Sequence, residues 1–507
     1  AGQIRFGTRA GRWVIALTVL GSGIAFLEAT VVNVALPTLA ADLDADVADL
    51  QWTLNGYMLT LAALILIGGS LGDRYGRRRV FLVGVIWFTL ASALCALAPT
   101  VEVLIVARVF QGIGGALLTP GSLAIIEATF HREDRARAIG AWSALGGIAG
   151  AIGPLLGGWL IETVDWRAIF LINLPLGAFI VWAAPRYVPE TRDETVSGRL
   201  DVLGSTLAAA ALAGITFALI RASELGGVDG GVLVALAIGV ATAAAFVLTE
   251  RRAEQPMLPL SIFSSRQFSA ANVVTFVVYA ALGGVFFLLV IVLQVVLGYS
   301  PIAAGAAALP VTVLLLLFSA RSGALAQRIG PRLPLTAGPV LIAAGMLMLS
   351  GIEAGDAYLT AVLPGILVYG VGLVFVVAPI TATVLAAAPV RHAGVASGVN
   401  NAVARTAGLV AVAALPLLVG LSGTDLMNPA ALEDGFQAAM IVTAALSLAG
   451  ALIAFLFISA DVLESAEDPS GHNIDHLDTD LHCGIDSPPL RPGHEGLEVA
   501  AARADRT

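Results

Sequence analysis

Apolar runs of about 18 to 25 residues, the length needed to cross a bilayer as a helix, recur along the chain with short polar segments between them. They centre near Ile24, Leu61, Phe88, Ile113, Gly150, Leu176, Leu212, Leu236, Val285, Leu309, Ala343, Leu373, Leu409 and Ala449. The pattern predicts an all-α membrane protein of fourteen transmembrane helices, arranged as two six-helix bundles with two extra helices between them. The expected divisions are a polar N-terminus (1–12), a first bundle (13–188), a linker (189–199) and the two extra helices (200–250). A second linker (251–266), a second bundle (267–460) and a polar tail (461–507) that reads as disordered complete the chain.

Arginine placement fixes the expected orientation. With the N-terminus inside, one set of connecting segments collects Arg5, Arg9 and Arg12, then Arg74 and Arg77 to Arg79, then Arg132, Arg135 and Arg137. The same side continues with Arg186, Arg192 and Arg199, then Arg251, Arg252 and Arg266, then Arg321, Arg328 and Arg332, and finally Arg391. The opposite loops hold only Arg167 and Arg221 and are acidic, as in the stretch from Asp42 to Asp46. This bias, with an even number of spans, places the arginine-rich side, and both termini, in the cytoplasm. Composition agrees: 12% charged residues is about half the usual share for a soluble domain. All basic residues are arginine, and the net charge of −9 arises partly in the tail, so no nucleic-acid partner is expected. Cys95 and Cys483 are too few for a disulfide framework. Arg5, Arg9 and Arg12 precede an apolar run too long for a cleavable signal, so the first span is expected to be retained.

One polar segment occurs twice. Gly69, Leu71, Arg74, Gly76 and Arg78 reappear in register as Gly323, Leu325, Arg328, Gly330 and Arg332, which suggests a chain built from repeated halves. In the first copy Gly72 and Gly76 permit a tight reversal, and Asp73 offers a partner to Arg74, Arg77 and Arg78. Topology alone needs the arginines but not Asp73, so a conformational latch is expected there. Gln327 replaces the acidic residue in the second copy, which makes the latch asymmetric.

Ionisable groups inside the spans each cost about 2.5–3.5 kcal/mol on insertion scales, so each needs a reason. Glu28 lies nine residues before Pro37 and Arg108 eight residues after Thr100, which puts both roughly 12–14 Å from the same membrane face. Equal depth allows mutual influence: desolvation and a neighbouring charge act in opposite directions on a carboxyl's proton affinity. The alternative is a static ion pair that only fixes packing. Asn400, Asn401 and Arg405 form a polar stripe in the thirteenth helix, which either lines a pathway or snorkels to the interface; Glu127 reads as interfacial. Gly146, Gly150, Gly153 and Gly157 follow at intervals of four, three and four, a single helix face, with Pro154 and Gly158 beside them. Such a face permits close packing and, with the proline, a hinge or sliding seam. Phe26, Trp52, Tyr57, Phe276, Tyr279, Phe286 and Phe287, together with Gln111, are candidates to line a cavity. In the tail, His472, His476, His482 and Cys483 match no closed tetrahedral metal spacing. No metal or other cofactor is expected.

These segments resemble the major facilitator superfamily, in particular its 14-helix drug:proton antiporter subfamily. The loop from Gly69 to Arg78 is similar to the superfamily's loop motif, and the run from Arg108 to Gly115 to its fourth-helix motif, whose Arg is associated with proton coupling. The run from Gly153 to Gly158 resembles the antiporter signature of the fifth helix, with Ala149 where a glycine leads it. The stretches Leu27 to Pro37, with Asn33 matching, and Trp166 to Pro175 also resemble the 14-helix group. Glu28 stands where that group usually carries Asp, which keeps the charge and adds one methylene of reach. The resemblance implies alternating access, inward proton flow and export of amphipathic or cationic organic compounds, by a chain that acts as a monomer. Glu28 would then exchange protons or bind a cationic substrate, with Arg108 and Asn33 beside it. An exporter of an endogenous lipid or specialised metabolite, or an uncoupled facilitator, is the alternative. An ATP-driven pump lacks its phosphate loop, an enzyme lacks a cluster of catalytic groups, and a channel lacks filter loops or charge rings.

Overall fold

A computed structural model describes residues 4–131, 133–192, 201–253, 256, 258–388 and 393–463. Arg132, Arg199, Arg391 and the tail histidines with Cys483 lie outside the described residues. Among those described, the only β-structure is an isolated bridge between Ile4 and Phe130; the rest of the ordered backbone is helical. The first half contains α1 (Arg9–Leu43), α2 (Val47–Tyr75), α3 (Arg77–Ala96), α4 (Val101–Thr129), α5 (Arg135–Thr163), α6 (Ala168–Leu171) and α7 (Asn173–Tyr187). Two further helices follow, α8 (Val202–Leu225) and α9 (Gly230–Arg252). The second half contains α10 (Arg266–Val295), α11 (Pro301–Ala307), α12 (Leu309–Ile329), α13 (Arg332–Leu349), α14 (Leu363–Ala386), α15 (Ala393–Val419) and α16 (Pro429–Phe457).

Each of the fourteen expected centres falls within one of these helices. Among the described residues, twelve helices, with α6–α7 and α11–α12 each counted as one, are long and apolar enough to cross a membrane. Two need separate description: α2 bends by 49° near position 66, and the apolar part of α5 is the shorter stretch Ile148–Thr163.

Local signals start the helices. Thr8 Oγ1 accepts from the Gly11 amide at 3.1 Å at the head of α1. Asp46 and Asp49 form a reciprocal capping box on α2, satisfying donors that no preceding turn could serve. Asp201, Asp229, Ser265, Ser300 and Asn428 cap α8, α9, α10, α11 and α16.

The halves repeat one packing scheme. In the first, α1 packs on α5 and α7, α2 on α4, and α3 on α4 and α7. In the second, α10 packs on α15 and α16, α12 on α14, and α13 on α14 and α16. Helix α8 lies against α2 and α15, whereas α9 packs mainly on α8 and leaves Leu233, Val234, Ile238 and Val240 exposed. Such a surface suits lipid rather than water.

Apolar side chains gain little from meeting each other in lipid, so close backbone approach must hold the bundles. A Cβ on Gly68 would collide with the Ala116 carbonyl, and one on Gly112 with Thr60 and the Tyr57 carbonyl, so α2 and α4 touch through glycine. Gly338 and Gly372 likewise let α13 and α14 approach closely in the second half, where added Cβ atoms would come within 2.6 and 2.7 Å of the facing helix. The duplicated loops repeat a backbone feature as well: Gly76 (φ +109°) and Gly330 (φ +79°) both adopt a conformation that other residues rarely take.

Gly68→Ala should therefore lower stability by about 1–3 kcal/mol through overpacking. Gly140→Ala, on α5 with nothing within 4 Å of the added methyl, should be neutral or slightly stabilising. Thermal unfolding in detergent, followed by tryptophan fluorescence, checks the pair; equal melting temperatures would mean that the α2–α4 approach does not limit stability.

Candidate functional site

Five helices converge on one carboxylate. Glu28 of α1 and Arg108 of α4 are fully buried, at 0% and 1% side-chain exposure, and Arg108 Nη1 donates to Glu28 Oε1 at 2.6 Å. The same nitrogen donates to Gln111 Oε1 at 2.6 Å, and Arg108 Nε donates to the Thr53 carbonyl of α2 at 3.0 Å. Asn173 Nδ2, at the head of α7, donates to Glu28 Oε2 at 2.9 Å and to Ser92 Oγ of α3 at 3.2 Å. Gln111 Nε2 donates to the same Ser92 oxygen at 2.8 Å. The Arg108 guanidinium also lies over the Tyr57 ring, 4.5 Å from its centroid. Both carboxylate oxygens thus accept charge-assisted or amide hydrogen bonds, which is how a buried charge is tolerated.

A separate cavity of about 530 Å³ lies between the halves. The first half contributes Phe26, Thr30 and Asn33 of α1, Asn55 and Met58 of α2, and Gly150 and Pro154 of α5. The second contributes Tyr279 and Phe286 of α10, Thr312 of α12, Thr381 of α14, and Ser397, Asn400, Asn401 and Arg405 of α15. The lining reaches exposed Thr381 and Asn401 toward the arginine-rich end. At the opposite end the halves are joined: Gln51 Nε2 donates to the Val412 carbonyl at 2.7 Å, Gln294 Nε2 to the Val34 carbonyl at 3.0 Å, and the Val47 amide to the Gly423 carbonyl at 2.8 Å.

The glycine face of α5 is used as packing. Added Cβ atoms on Gly146 and Gly150 would face Phe26, and those on Gly153 and Gly157 would collide with Thr30 and Val31, so all four glycines meet α1. Gly158 turns to the second half instead, where its Cβ would come within 2.5 Å of Pro301 and Ile302. Gly305 approaches the Pro154 carbonyl from the other side. Helix α5 is therefore seated between its own bundle and α11.

Several expected placements need correction. Glu28 does not line the cavity: it projects into the first bundle, so in this arrangement it cannot touch a compound held there. Gln111 and Tyr57 belong to the buried network beside Arg108 rather than to the cavity wall. Trp52 leans on Phe217 of α8, with centroids 6.1 Å apart, and Phe276 is half-buried away from the lining. Phe26, Asn33, Tyr279, Asn400, Asn401 and Arg405 do line it.

In the loop copy, Asp73 at the end of α2 pairs with Arg77 at the start of α3 at 2.7 Å, across the turn at Gly76, while Arg74 makes no ion pair among the described residues. Glu190 completes this corner: its Oε1 accepts from the Arg78 amide at 3.0 Å, and a Cβ on Gly76 would come within 2.7 Å of it. Gly69 and Gly72 leave room for a methyl at ordinary contact distance, so only Gly76 is sterically required. At the same end Arg5 donates to Glu133 at 2.7 Å, and this hydrogen bond holds the Glu133 carboxyl below its usual range.

Sequence reasoning did not single out Asn173, Ser92, Asn55 or Glu190. An intramembrane amide is a usable signal for Asn173 and Asn55, since each must find partners or a wet cavity. Glu190 carries no such signal, because it lies in a polar connection.

Arg108→Gln should destabilise the protein by about 3–5 kcal/mol by leaving Glu28 buried without its counter-charge. The double change Glu28→Gln with Arg108→Gln should recover more than half of that loss. A double-mutant cycle on unfolding in detergent measures it; additive losses would show that the two charges do not stabilise one another.

Comparison with known proteins places this geometry. The family model described as Major Facilitator Superfamily matches residues 18–413. The tetracenomycin C resistance and export protein of Streptomyces glaucescens is 36% identical over 415 residues, covering 82% of this chain and 77% of that one. The multidrug resistance protein Stp of Mycobacterium tuberculosis (strain CDC 1551 / Oshkosh) is 37% identical over 386 residues, covering 76% and 71%. The crystal structure of the POT family transporter PepTSo superposes with a TM-score of 0.65 at 15% identity, over 91% of this chain and 99% of that one, and so shares the fold. With two halves of one packing scheme around a central cavity, and a family match across both of them, this multi-pass membrane protein belongs to the Major Facilitator Superfamily.

Proposed function

We propose that the chain exports amphipathic organic compounds by alternating access, in exchange for protons, and is a 14-helix drug:proton antiporter. The observation that carries this reading is a cavity between two similar halves that is sealed at one end and reaches toward the other. Relatives at about 35% identity whose names describe resistance and export support it. Fourteen spans follow when the bent α2 and the shorter apolar α5 are added to the twelve. Both termini then lie in the cytoplasm, the membrane is a bacterial inner membrane, and the transport unit is the monomer, a carrier rather than an enzyme.

The coupling device in this reading is Glu28. Because it faces the bundle while its neighbours Ala29 and Thr30 face the cavity, proton and substrate act on one helix from two sides. Protonating Glu28 removes its attraction for Arg108, which keeps the Thr53 carbonyl and Gln111 as partners. Helix α1 is then free to shift against α4, and the glycine face of α5 gives it a surface on which to slide. The pair of Asp73 with Arg77, held beside Glu190, serves as the latch at the arginine-rich end. Export of a specialised metabolite is the second reading. It is favoured by the lack of any acidic residue among the described residues of the cavity lining, where a cationic drug would seek a carboxylate.

Proteoliposomes acidic inside, in which outward proton flow drives antiport inward, should accumulate tetracenomycin C, the compound named for one relative. Glu28→Gln should slow this roughly tenfold or more, the scale of ordinary coupling free energies, and abolish its dependence on internal pH. Accumulation by the variant at the wild-type rate would remove Glu28 from the mechanism. Accumulation that ignores the gradient would remove antiport itself.

A further inference from the structure

The cavity's electrostatics are set by a residue that the coupling network does not use. Arg405 projects from the middle of α15 into the cavity wall. Its Nε is buried with no partner, and among the described residues no hydrogen bond or ion pair holds the guanidinium. This contrasts with Arg108, whose charge is matched by Glu28. Asn55, on α2, which packs against α15, is fully buried, lines the same space, and has neither amide oxygen nor amide nitrogen satisfied. Among the described residues, the only ionisable side chain in the lining apart from Arg405 is the phenol of Tyr279, and none is a carboxylate. Much of the remaining surface is apolar, including Phe26, Leu54, Met58 and Phe286.

A buried cation without a counter-charge is costly, and so is an unpaired buried amide. A guanidinium presents several donors in a planar fork that fits an anionic oxygen pair. An amide supplies one donor and one acceptor without selecting charge. Surrounded by apolar wall, this combination matches a particular kind of guest.

We propose that Arg405 and Asn55 form the polar end of a substrate site selective for organic anions, namely apolar compounds carrying one carboxylate or acidic enolate. The proposal rests on the export reading and narrows its substrate class. Arg405 neutralises the anion's charge, Asn55 pairs with a neighbouring carbonyl or hydroxyl, and the aromatic and aliphatic wall takes the body of the compound. Cationic amphipaths are disfavoured at this point, because their charge meets Arg405 with no acid nearby to offset it.

Three probes of one shape test this: anthraquinone-2-carboxylate, its methyl ester, and 2-(aminomethyl)anthraquinone, bound to the full chain in phosphatidylcholine nanodiscs and followed by tryptophan quenching. The carboxylate should bind roughly tenfold or more tightly than the ester, the scale of a charge-assisted hydrogen bond, and the ammonium compound weakest. Arg405→Gln should reduce carboxylate affinity by about the same factor and leave the ester within about twofold, whereas Arg405→Lys should retain part of the carboxylate preference. Retained ester binding guards against misfolding as the cause. Carboxylate binding no tighter than the ester, or an equal loss of both on Arg405→Gln, overturns the anion site. Proton-driven accumulation of tetracenomycin C, measured separately, would survive that result, so failure of the anion site and failure of export are distinguishable.

Discussion

The first half of the molecule is organised around one buried ion pair. Glu28 and Arg108 are both withdrawn from solvent, and a membrane interior offers no water to either. Every lone pair and N–H left unmatched there is expensive, so neighbouring helices must supply partners. Asn173 supplies one from α7, Ser92 ties that amide and Gln111 to α3, and α2 offers the Thr53 carbonyl. The requirement to satisfy two charges thus fixes the relative positions of α1, α2, α3, α4 and α7. Helix α5 stands apart from this network: its contact with α1 runs through glycines and two hydrogen bonds, from Thr30 Oγ1 to the Gly150 carbonyl at 3.2 Å and from Trp142 Nε1 to Ser22 Oγ at 2.8 Å.

The second half repeats the backbone plan without the charge chemistry. Its helices pair in the same order, and Gly330 keeps the positive φ of Gly76. Yet Gln327 stands where Asp73 holds Arg77, and among the described residues no buried ion pair ties α10, the counterpart of α1, to α14, the counterpart of α4. Backbone geometry is dictated by close helix approach, which any pair of bundles in lipid must solve. Side-chain charge answers to the work each half does. The paired charges gather inside one bundle, and the arginine of the other, without an ion pair among the described residues, faces the shared cavity.

The helices were legible because bilayer thickness imposes a length on apolar runs, and the depth match of Glu28 with Arg108 was legible because helical rise is constant. The glycine intervals on α5 likewise gave one face, and that face packs on α1. What could not be read was which face of a helix meets which neighbour. Along α1, Phe26 and Asn33 lie within about 20° of each other, while Glu28 lies about 140° from Asn33 at roughly 100° per residue. Sequence periodicity therefore separates Glu28 from Asn33, but it does not say which face borders the cavity. For Trp52 and Phe276 the same ambiguity led to the wrong side, since an aromatic ring suits lipid, a helix contact and a cavity equally well. Arg405 illustrates the remaining gap. Pathway lining and snorkelling place similar residues at similar positions, and only its bare guanidinium at the cavity separates them.

Two separated charges have a consequence for the energy source. If Glu28 carries the proton and Arg405 faces the substrate, the two ligands never compete for one carboxylate, and coupling must pass through helix packing. Tyr57 lies beside the coupling pair, buried against Arg108 with its hydroxyl donating to the Ala25 carbonyl of α1 at 3.3 Å. The exchange of a proton for an anion is also electrically different from that of a proton for a monovalent cation. In the latter, equal charges cross in opposite directions and the membrane potential does no work. In the former, a positive charge enters as a negative one leaves, so two charges move with the potential, each contributing about 2.3 kcal/mol per 100 mV. An exporter with its carboxylate hidden in the bundle and its arginine in the cavity is thereby arranged to draw on voltage as well as on the proton gradient.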